Sequence, residues 1–249
     1  MAEAELAGRV ALVTGAGRNI GRAIALALAE AGAAVIVNAR KNRAEAEGVV
    51  REIEARGAKA LAQLADVADA GAVEAMVAAA AARFGRIDFL VNNAALRRET
   101  PLEKMAFAEW REILGSVLDG AFHCTKACLP HLRKSGAGAV VNIGGLSAHT
   151  GAKHRLHVVT AKSGLVGFTR ALAKDLAGDN VTVNCVSPGL IETPRSGAEP
   201  QHHQTNQTLS GRRGTPAEIA ATVRFLCGPA ARYITGQTIH VNGGAFLGG

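Results

Sequence analysis

A glycine-rich stretch near the start of the chain has the residue types and spacing of a phosphate-binding loop. Four apolar residues, Val10 to Val13, predict a buried strand before the loop, and apolar residues at helical spacing follow it over 22–31. Small residues let the backbone approach a pyrophosphate, while a helix N-terminus directs its free N–H groups at the anion. We therefore predict a dinucleotide site that includes Gly15, Gly17, Arg18, Asn19, Ile20 and Gly21.

The end of the second predicted strand, over 34–37, determines which dinucleotide is expected. Arg40 and Lys41 lie just beyond this strand, and no acidic residue accompanies them. An acid at this place binds the free 2′-hydroxyl of NAD, whereas arginine accommodates the 2′-phosphate of NADP. A charged hydrogen bond of about 1.5–3 kcal/mol corresponds to roughly a ten- to hundredfold preference. We expect NADP(H) rather than NAD(H); the alternative is that both cations only face solvent.

Strands and helices alternate along all 249 residues, with no linker or repeat dividing them. This alternation predicts an α/β fold, a Rossmann-type doubly wound parallel sheet with helices on both faces, in a single domain over 1–249. Further strands are predicted over 59–64, 87–91, 139–143 and 181–186, and a last strand with its turn over 236–244. Further helices are predicted over 43–56, 72–84, 110–132, 158–176 and from 215 onward.

Composition restricts the partners that we expect. The net charge is +7, but basic residues are dispersed and aromatic residues are only 4%, so we expect attraction of phosphorylated ligands rather than nucleic-acid binding. No signal-peptide pattern and no membrane-spanning segment is expected, and four scattered cysteines fit a reducing, cytoplasmic location. Cys124, Cys128 and His131 can share a helix face as metal ligands, but we expect packed thiols and no metal.

Several motifs, in order, are similar to those of the short-chain dehydrogenase/reductase family, particularly its β-ketoacyl-acyl-carrier-protein reductases. Residues 14–21 resemble the family's TGxxxGxG loop, with Asn19 replacing one glycine. Asn92-Asn93-Ala94-Ala95 resembles its NNAG turn, and the segment over 188–193 matches PG-x-x-x-T. The resemblance extends from about Gly8 to Gly244, nearly the whole chain.

The resemblance implies roles for further residues. Arg18 matches a position that contacts the 2′-phosphate in NADP-dependent members. The implied cofactor contacts elsewhere are Asp66, Val67, Asn92, Ala94, Lys162, Pro188, Gly189, Ile191 and Thr193. Asp66 can also cap the helix that follows it. Residues 195–215 would form a substrate lid, in which His202 and His203 are expected to be solvated. The helix over 110–132 would pair with its mate in a homodimer or homotetramer.

The resemblance also implies a catalytic tetrad of Asn, Ser, Tyr and Lys, and most of it is missing. Lys162 matches the family lysine, which lowers the pKa of the tyrosine and holds the nicotinamide ribose. Val158 stands at the tyrosine position, Gly145 at the serine position and Val117 at the asparagine position. The only tyrosine of the chain is Tyr233, far from Lys162 in sequence. The site is therefore predicted to be degenerate.

Replacement groups lie near the vacant positions. Ser147, His149 and His154 are candidates, since a histidine is a competent acid or base. Lys162 is either the base itself or only a ribose contact. Three functions remain open. The first is an NADP(H)-dependent oxidoreductase that acts on a carbonyl or alcohol through a non-standard acid or base. The second is a non-catalytic cofactor-binding subunit paired with an active relative in a hetero-oligomer, and the third is a non-redox enzyme that uses the same pocket. The small-molecule substrate is not identified by the sequence.

Overall fold

Seven parallel strands form one sheet in the computed structural model, which describes residues 4–194 and 208–248. Their order across the sheet is β3-β2-β1-β4-β5-β6-β7. The strands are β1 Val10–Val13, β2 Ala34–Ala39, β3 Ala60–Leu64, β4 Phe89–Asn92, β5 Gly138–Ile143, β6 Val181–Pro188 and β7 Thr238–Val241. The predicted doubly wound parallel sheet is confirmed.

Helices connect successive strands and cover both faces of the sheet. They are α1 Asn19–Glu30, α2 Arg43–Glu54, α3 Ala70–Phe84, α4 Phe107–Leu114, α5 Gly120–Lys134, α6 Ser147–Thr150, α7 Leu156–Asp175 and α8 Pro216–Cys227. Short 3₁₀ turns occur at Leu102–Lys104, Ala177–Asp179 and Pro229–Ala231. The cap of α8 is a capping box, in which Thr215 and Glu218 each accept a backbone N–H of the other.

The alternation of side chains along the strands divides the core into two layers. Val13 and Val37 point to the layer formed with α1, α2 and α8, and Leu12 and Ile36 point to the layer of α3, α5 and α7. Every residue of β1 is buried. Burial on both faces explains why this strand has a continuous apolar sequence.

The strand order reverses between β1 and β4, and this reversal opens a crevice. From β1 the chain moves outward to β2 and β3, and then returns to β4 on the opposite side. The loops after β1 and β4 therefore separate at the carboxyl edge of the sheet. In open α/β sheets, ligands bind at this topological switch point.

Most elements begin or end within a few residues of their predicted bounds, and one differs in kind. The helix predicted over 110–132 is α4 and α5 joined by a π-helical turn, Gly115–Asp119. A side chain at Gly120 would lie 2.6 Å from Val67 Cγ2, so glycine permits this close packing. The segment 236–244, predicted as the last strand and a turn, is β7 with Gly236, Gly243 and Gly244 at positive φ on either side of it.

Candidate active site

Side chains from β2 and from the turn after β4 hold the glycine loop in place. Thr14 Oγ1 accepts the backbone N–H groups of Asn93 and Ala94 at 2.9 and 3.0 Å. The Asn93 amide donates to the carbonyls of Thr14 and Gly15 at 2.8 and 3.0 Å. Asn38 Oδ1 accepts the N–H of Gly15 at 3.2 Å. Hydrogen bonds within the protein therefore fix the conformation of the loop.

Two glycines of the loop cannot be replaced without a steric conflict. A Cβ at Gly21 would lie 2.2 Å from the Gly15 carbonyl oxygen and 2.6 Å from Asn93 Nδ2. Gly15 has a φ of +61° and a Cβ there would lie 2.9 Å from Ala94 Cα. Asn19 has a φ of 50°, so this asparagine adopts the left-handed conformation, which asparagine tolerates better than most residues.

A cavity of about 880 Å³ runs from the glycine loop along the carboxyl ends of the strands. This volume suits a bound small molecule. The predicted cofactor residues that line it are Gly15, Gly17, Arg18, Asn19, Ile20, Gly21, Arg40, Lys41, Asp66, Val67, Ala94, Lys162, Pro188, Gly189, Ile191 and Thr193. The fold thus brings together residues that are up to 178 positions apart, Gly15 and Thr193 being the extremes.

Asn92 has a different environment from its predicted one. Asn92 does not line the cavity in the part of the chain that the structure describes. Its side-chain amide is buried and donates to Asn142 Oδ1 at 2.9 Å, which joins β4 to β5. The neighbouring Asn93 lines the cavity instead. Alternation along the strand explains this exchange, because adjacent residues point to opposite faces.

The adenosine end of the cavity carries exposed cations. Arg18, Arg40 and Lys41 all line this end. Arg40 Nη1 lies 3.9 Å from Asp66 Oδ2 and 3.6 Å from Glu112 Oε1. Exposed ion pairs of this kind contribute only about 0–1 kcal/mol. A phosphate can therefore replace these two carboxylates as the partner of Arg40 with little loss of stability.

Lys162 reaches the opposite, inner end of the cavity from α7. The residue is only 6% exposed, and its ammonium donates to the Ile143 carbonyl. Burial, together with the positive charges of Arg97 and Arg155, lowers the pKa of Lys162 to about 7, although Cys185 acts in the opposite direction. An amine with this pKa can either give or take a proton near neutral pH.

The three positions that are predicted to be degenerate differ in what they offer to a ligand. Val158 lines the cavity one helical turn before Lys162, and presents only an apolar side chain. Gly145 lines the cavity with nothing within 4 Å of the place of a Cβ. Val117 is 2% exposed and packs against Leu165, outside the described cavity wall.

Of the suggested replacements, Ser147 lines the cavity, and the two histidines are not among the described residues that do. The His149 ring packs against His240 and Phe246, with ring centroids 4.6 and 5.3 Å away. Burial, then the charges of His240 and Arg170, lower the pKa of His149. His154 has a φ of 60° and its carbonyl accepts the N–H of Thr100 at 2.7 Å.

Ser116 and Arg155 line the cavity although the sequence did not single them out. Ser116 Oγ accepts the N–H of Leu96 at 3.2 Å and donates to the Ile113 carbonyl at 3.0 Å. The π-helical turn determines which residues face the cavity here, and side-chain periodicity gives no sign of it. Arg155 was missed because α7 begins at Leu156, two residues before its predicted start.

The remaining predicted features have structural surroundings or lie outside the description. Cys124 and Cys128 are buried in the core, where burial raises the pKa of each thiol. Over residues 4–194 and 208–248, no three His, Cys, Asp or Glu side chains cluster as metal ligands, and no helix is long and apolar enough to cross a membrane. Residues 195–207 of the predicted lid, including His202 and His203, lie outside the described residues.

Comparison with known proteins agrees with this geometry. Residues 15–245 match the family model described as enoyl-(acyl carrier protein) reductase. The 3-oxoacyl-[acyl-carrier-protein] reductase of Synechocystis is 43% identical over 97% of this chain and 98% of the relative. That of Staphylococcus aureus is 41% identical over 95% and 98%. The crystal structure of a short-chain dehydrogenase from Burkholderia cenocepacia in complex with NADP has a TM-score of 0.91 and 35% identity, over 97% of this chain and 99% of that chain.

The match covers the glycine loop, the turn after β4 and the segment after β6, which are the parts that form the cavity wall. Both reductases are matched over almost their entire length. The chain belongs to the short-chain dehydrogenase/reductase family.

Proposed function

We propose that this protein binds NADP(H) and acts as an oxidoreductase on a carbonyl or alcohol substrate. The observation that carries the proposal is the preformed cavity, with a glycine cradle and cations at one end and Lys162 at the other. The glycine loop lines the cavity and leads directly into the N-terminus of α1, an arrangement that fits a pyrophosphate. The solved relative that holds NADP supports the same assignment.

The choice of NADP(H) follows from the end of β2. Asn38 is only 1% exposed there. Its Oδ1 accepts the N–H of Gly15 and its Nδ2 donates to the Ala65 carbonyl, so its side chain already bonds to the protein. Arg40 and Lys41 are the next side chains that a ribose would meet. Arg18 faces the same region from the glycine loop. Guanidinium groups favour a 2′-phosphate over a 2′-hydroxyl.

Titration of both reduced cofactors, followed by nicotinamide fluorescence, tests this choice. We expect NADPH to bind roughly ten- to a hundredfold more tightly than NADH. Arg40→Asp should reverse part of this preference, because an acid at the strand end accepts the free 2′-hydroxyl of NADH. Arg83→Gln, an exposed change on α3 outside the cavity wall, is the control for net charge. Equal affinities of the wild type for both cofactors would overturn the proposal.

The bound cofactor would supply or accept a hydride, and the protein must move the matching proton. Lys162 is the titratable side chain that the structure places at the inner end with a pKa near neutrality. Val158 beside it provides neither a proton nor a hydrogen bond. We therefore assign to Lys162 both the ribose contact and the proton transfer. Turnover of ordinary ketones is expected to be slow, because loss of a general acid costs about 10²–10⁴ in rate.

Two measurements separate these roles of Lys162. Lys162→Met should abolish NADPH-dependent reduction if the amine transfers the proton, and should also weaken NADPH binding if it holds the ribose. Lys162→Gln keeps a hydrogen-bond donor for the ribose without an ammonium. Loss of turnover with retained NADPH affinity in Lys162→Gln is the expected result. Full turnover in both variants would remove Lys162 from the proton transfer.

A non-catalytic subunit is the second candidate, and the apolar wall at Val158 and Gly145 favours it. Such a subunit would bind NADP(H) through the intact cradle and assemble with an active relative. Co-purification from the native source, followed by mass spectrometry, tests this candidate. A relative with a complete Ser-Tyr-Lys set in the same complex would support it, and homogeneous protein that reduces a substrate would oppose it.

A further inference from the structure

The inner end of the cavity is strongly cationic. We define this inner end by its lining residues Arg97, Arg98, Glu99, Ser116, Gly145, Ser147, Arg155, Val158 and Lys162. Four of these residues are cations, and Glu99 is the only acid that the described wall contributes at this end. Arg98 is paired with Glu112 at 2.5 Å, outside the cavity wall. Arg97, Arg155 and Lys162 thus place three basic side chains on the described wall of this end.

Arg155 occupies a special position relative to the degenerate site. Arg155, Val158 and Lys162 are spaced at i, i+3 and i+7, which places them on one side of α7. Arg155 immediately precedes α7, whose first turn contains no acidic residue. The positive end of the helix dipole therefore adds to the charge of the guanidinium. Val158 thus lies between two cations on the wall that would face a substrate.

Arg155 and Lys162 are buried, which increases the strength of their electrostatic interactions. Arg155 is only 7% exposed and Lys162 only 6%. Arg97 and Arg155 lie close enough to Lys162 to lower the pKa of its ammonium group. Charges of the same sign in such a site repel one another, and a bound anion relieves that repulsion. A guanidinium also offers a planar fork of N–H donors that matches carboxylate and phosphate oxygens.

We propose that the inner end binds the anionic group of the substrate, so that the substrate is a carbonyl compound carrying a carboxylate or phosphate rather than a neutral ketone. Arg155 and Arg97 hold this anionic group, which leaves the carbonyl oxygen for Lys162. The cationic wall then supplies the substrate orientation that the missing serine and tyrosine would otherwise provide. This inference rests on the proposed function, since it names the substrate class of the same cavity.

Matched pairs of ligands test the proposal without requiring turnover. One pair is 2-oxobutyrate and its methyl ester, and the other is dihydroxyacetone phosphate and dihydroxyacetone. Each ligand is titrated calorimetrically into protein saturated with NADP⁺, which occupies the phosphate cradle and cannot donate a hydride. We expect the charged member of at least one pair to bind about ten- to a hundredfold more tightly. The preferred pair identifies the anion as a carboxylate or a phosphate.

Variants locate the anion within the cavity. Arg155→Gln and Arg97→Gln should each reduce the preference for the charged ligand about tenfold or more, and Arg83→Gln should leave it unchanged. Arg97 is exposed, so its variant keeps the test valid if Arg155→Gln fails to fold. Equal affinity for both members of both pairs in the wild type overturns the proposal. A preference that survives in both arginine variants overturns it as well.

Failure of the proposed function gives a different result. If the protein does not bind NADPH, the cofactor titration fails while the ligand pairs still report on the inner end in cofactor-free protein. In that experiment, a preference that depends on Arg155 supports an anion site, and the absence of one rejects it. If NADPH binds but the charged ligands are not preferred, only the inference about the substrate is rejected.

Discussion

Gly145 leaves room for the serine that the family is expected to have at its position. A Cβ at Gly145 would meet no heavy atom within 4 Å, and Gly145 faces the cavity. Val158 also lines the cavity, one helical turn from Lys162. A tyrosine there would lie on the same side of α7 as Lys162, one helical turn away. The predicted degeneracy of the site therefore concerns side chains on a backbone that still forms the cavity wall.

Restoring both groups should restore reductase activity. We expect Gly145→Ser with Val158→Tyr to raise the turnover of uncharged activated ketones by about 10² or more, because a general acid and a hydrogen-bond donor for the oxyanion both return. NADPH oxidation followed at its absorbance maximum measures this gain. Such contributions are not additive, so each single variant is assayed as well.

Gly145→Ser with Val158→Phe is the matched control, since it adds the ring without the hydroxyl. Equal gains in the Tyr and Phe variants would mean that the ring only fills space. Family-level ketone reduction by the wild type would contradict the degenerate site altogether. In that case His149→Ala and His154→Ala become the next variants, because both histidines were predicted as substitutes.

Lys162 should leave a pH-dependent signature in stability. Its pKa is lowered in the folded state from 10.5 to about 7, so below pH 7 the fold bears the full cost of the buried ammonium. Between pH 7 and about 10 the unfolded chain binds a proton that the folded chain does not. The free energy of unfolding therefore rises with pH from this residue, by at most about 1.4 kcal/mol per pH unit.

Urea denaturation at pH 7, 8 and 9 checks this expectation. The stability of the wild type relative to Lys162→Met should increase as the pH rises, because the methionine side chain does not titrate. Lys134→Met, an exposed change at the end of α5, should give a difference independent of pH. A flat difference for Lys162→Met would show that this amine keeps its ordinary pKa.

Among the elements, the glycine loop is the part that sequence predicts best. The spacing of Gly15, Gly17 and Gly21 between a strand and a helix indicates the loop because few other backbones satisfy those contacts. Its fastening by Asn38 and Asn93 was not predicted, since it depends on strands that are neighbours only in the folded sheet. The spacing of residues within one segment indicates its backbone conformation. Contacts between strands that are distant in the sequence do not produce any such spacing.

Gly21→Ala should disrupt the loop, and another glycine provides the contrast. A methyl group at Gly21 conflicts with the Gly15 carbonyl, so we expect a loss of about 1–3 kcal/mol in stability and loss of NADPH binding. Gly167→Ala, on an exposed face of α7 with free space around it, should instead stabilise the protein by about 0.5–1 kcal/mol. Thermal unfolding and NADPH titration of both variants measure these effects. Unchanged NADPH affinity in Gly21→Ala would contradict the assignment of the cradle.

Over the whole molecule, the sequence established the family but not the state of assembly or the substrate. Motifs in fixed order were sufficient for the fold, because each one occupies the end of a buried strand. The cations at the inner end come from the loop after β4 and the start of α7, and only the folded sheet brings them together. The sequence alone therefore does not indicate that Arg97 and Arg155 line the same end of the cavity.

The exposed apolar side chains around α4, α5 and α7 lead to a prediction about assembly. Phe107 is 76% exposed, Phe122 is 51% exposed and Leu156 is 46% exposed. Apolar surface of this extent on amphipathic helices favours association. We expect a dimer or tetramer, with two or four times the chain mass of 25.6 kDa in light scattering at micromolar concentration.

Charged substitutions test whether this surface causes the association. Phe107→Glu with Phe122→Glu should lower the observed mass toward that of one chain, because burying two carboxylates opposes the contact. Ala82→Glu, an exposed change on α3, should leave the mass unchanged. NADPH affinity should persist in the dissociated variant, since neither phenylalanine lines the cavity. A monomeric wild type at about 10 µM, a concentration at which contacts with a Kd in the low micromolar range persist, would refute the expected assembly.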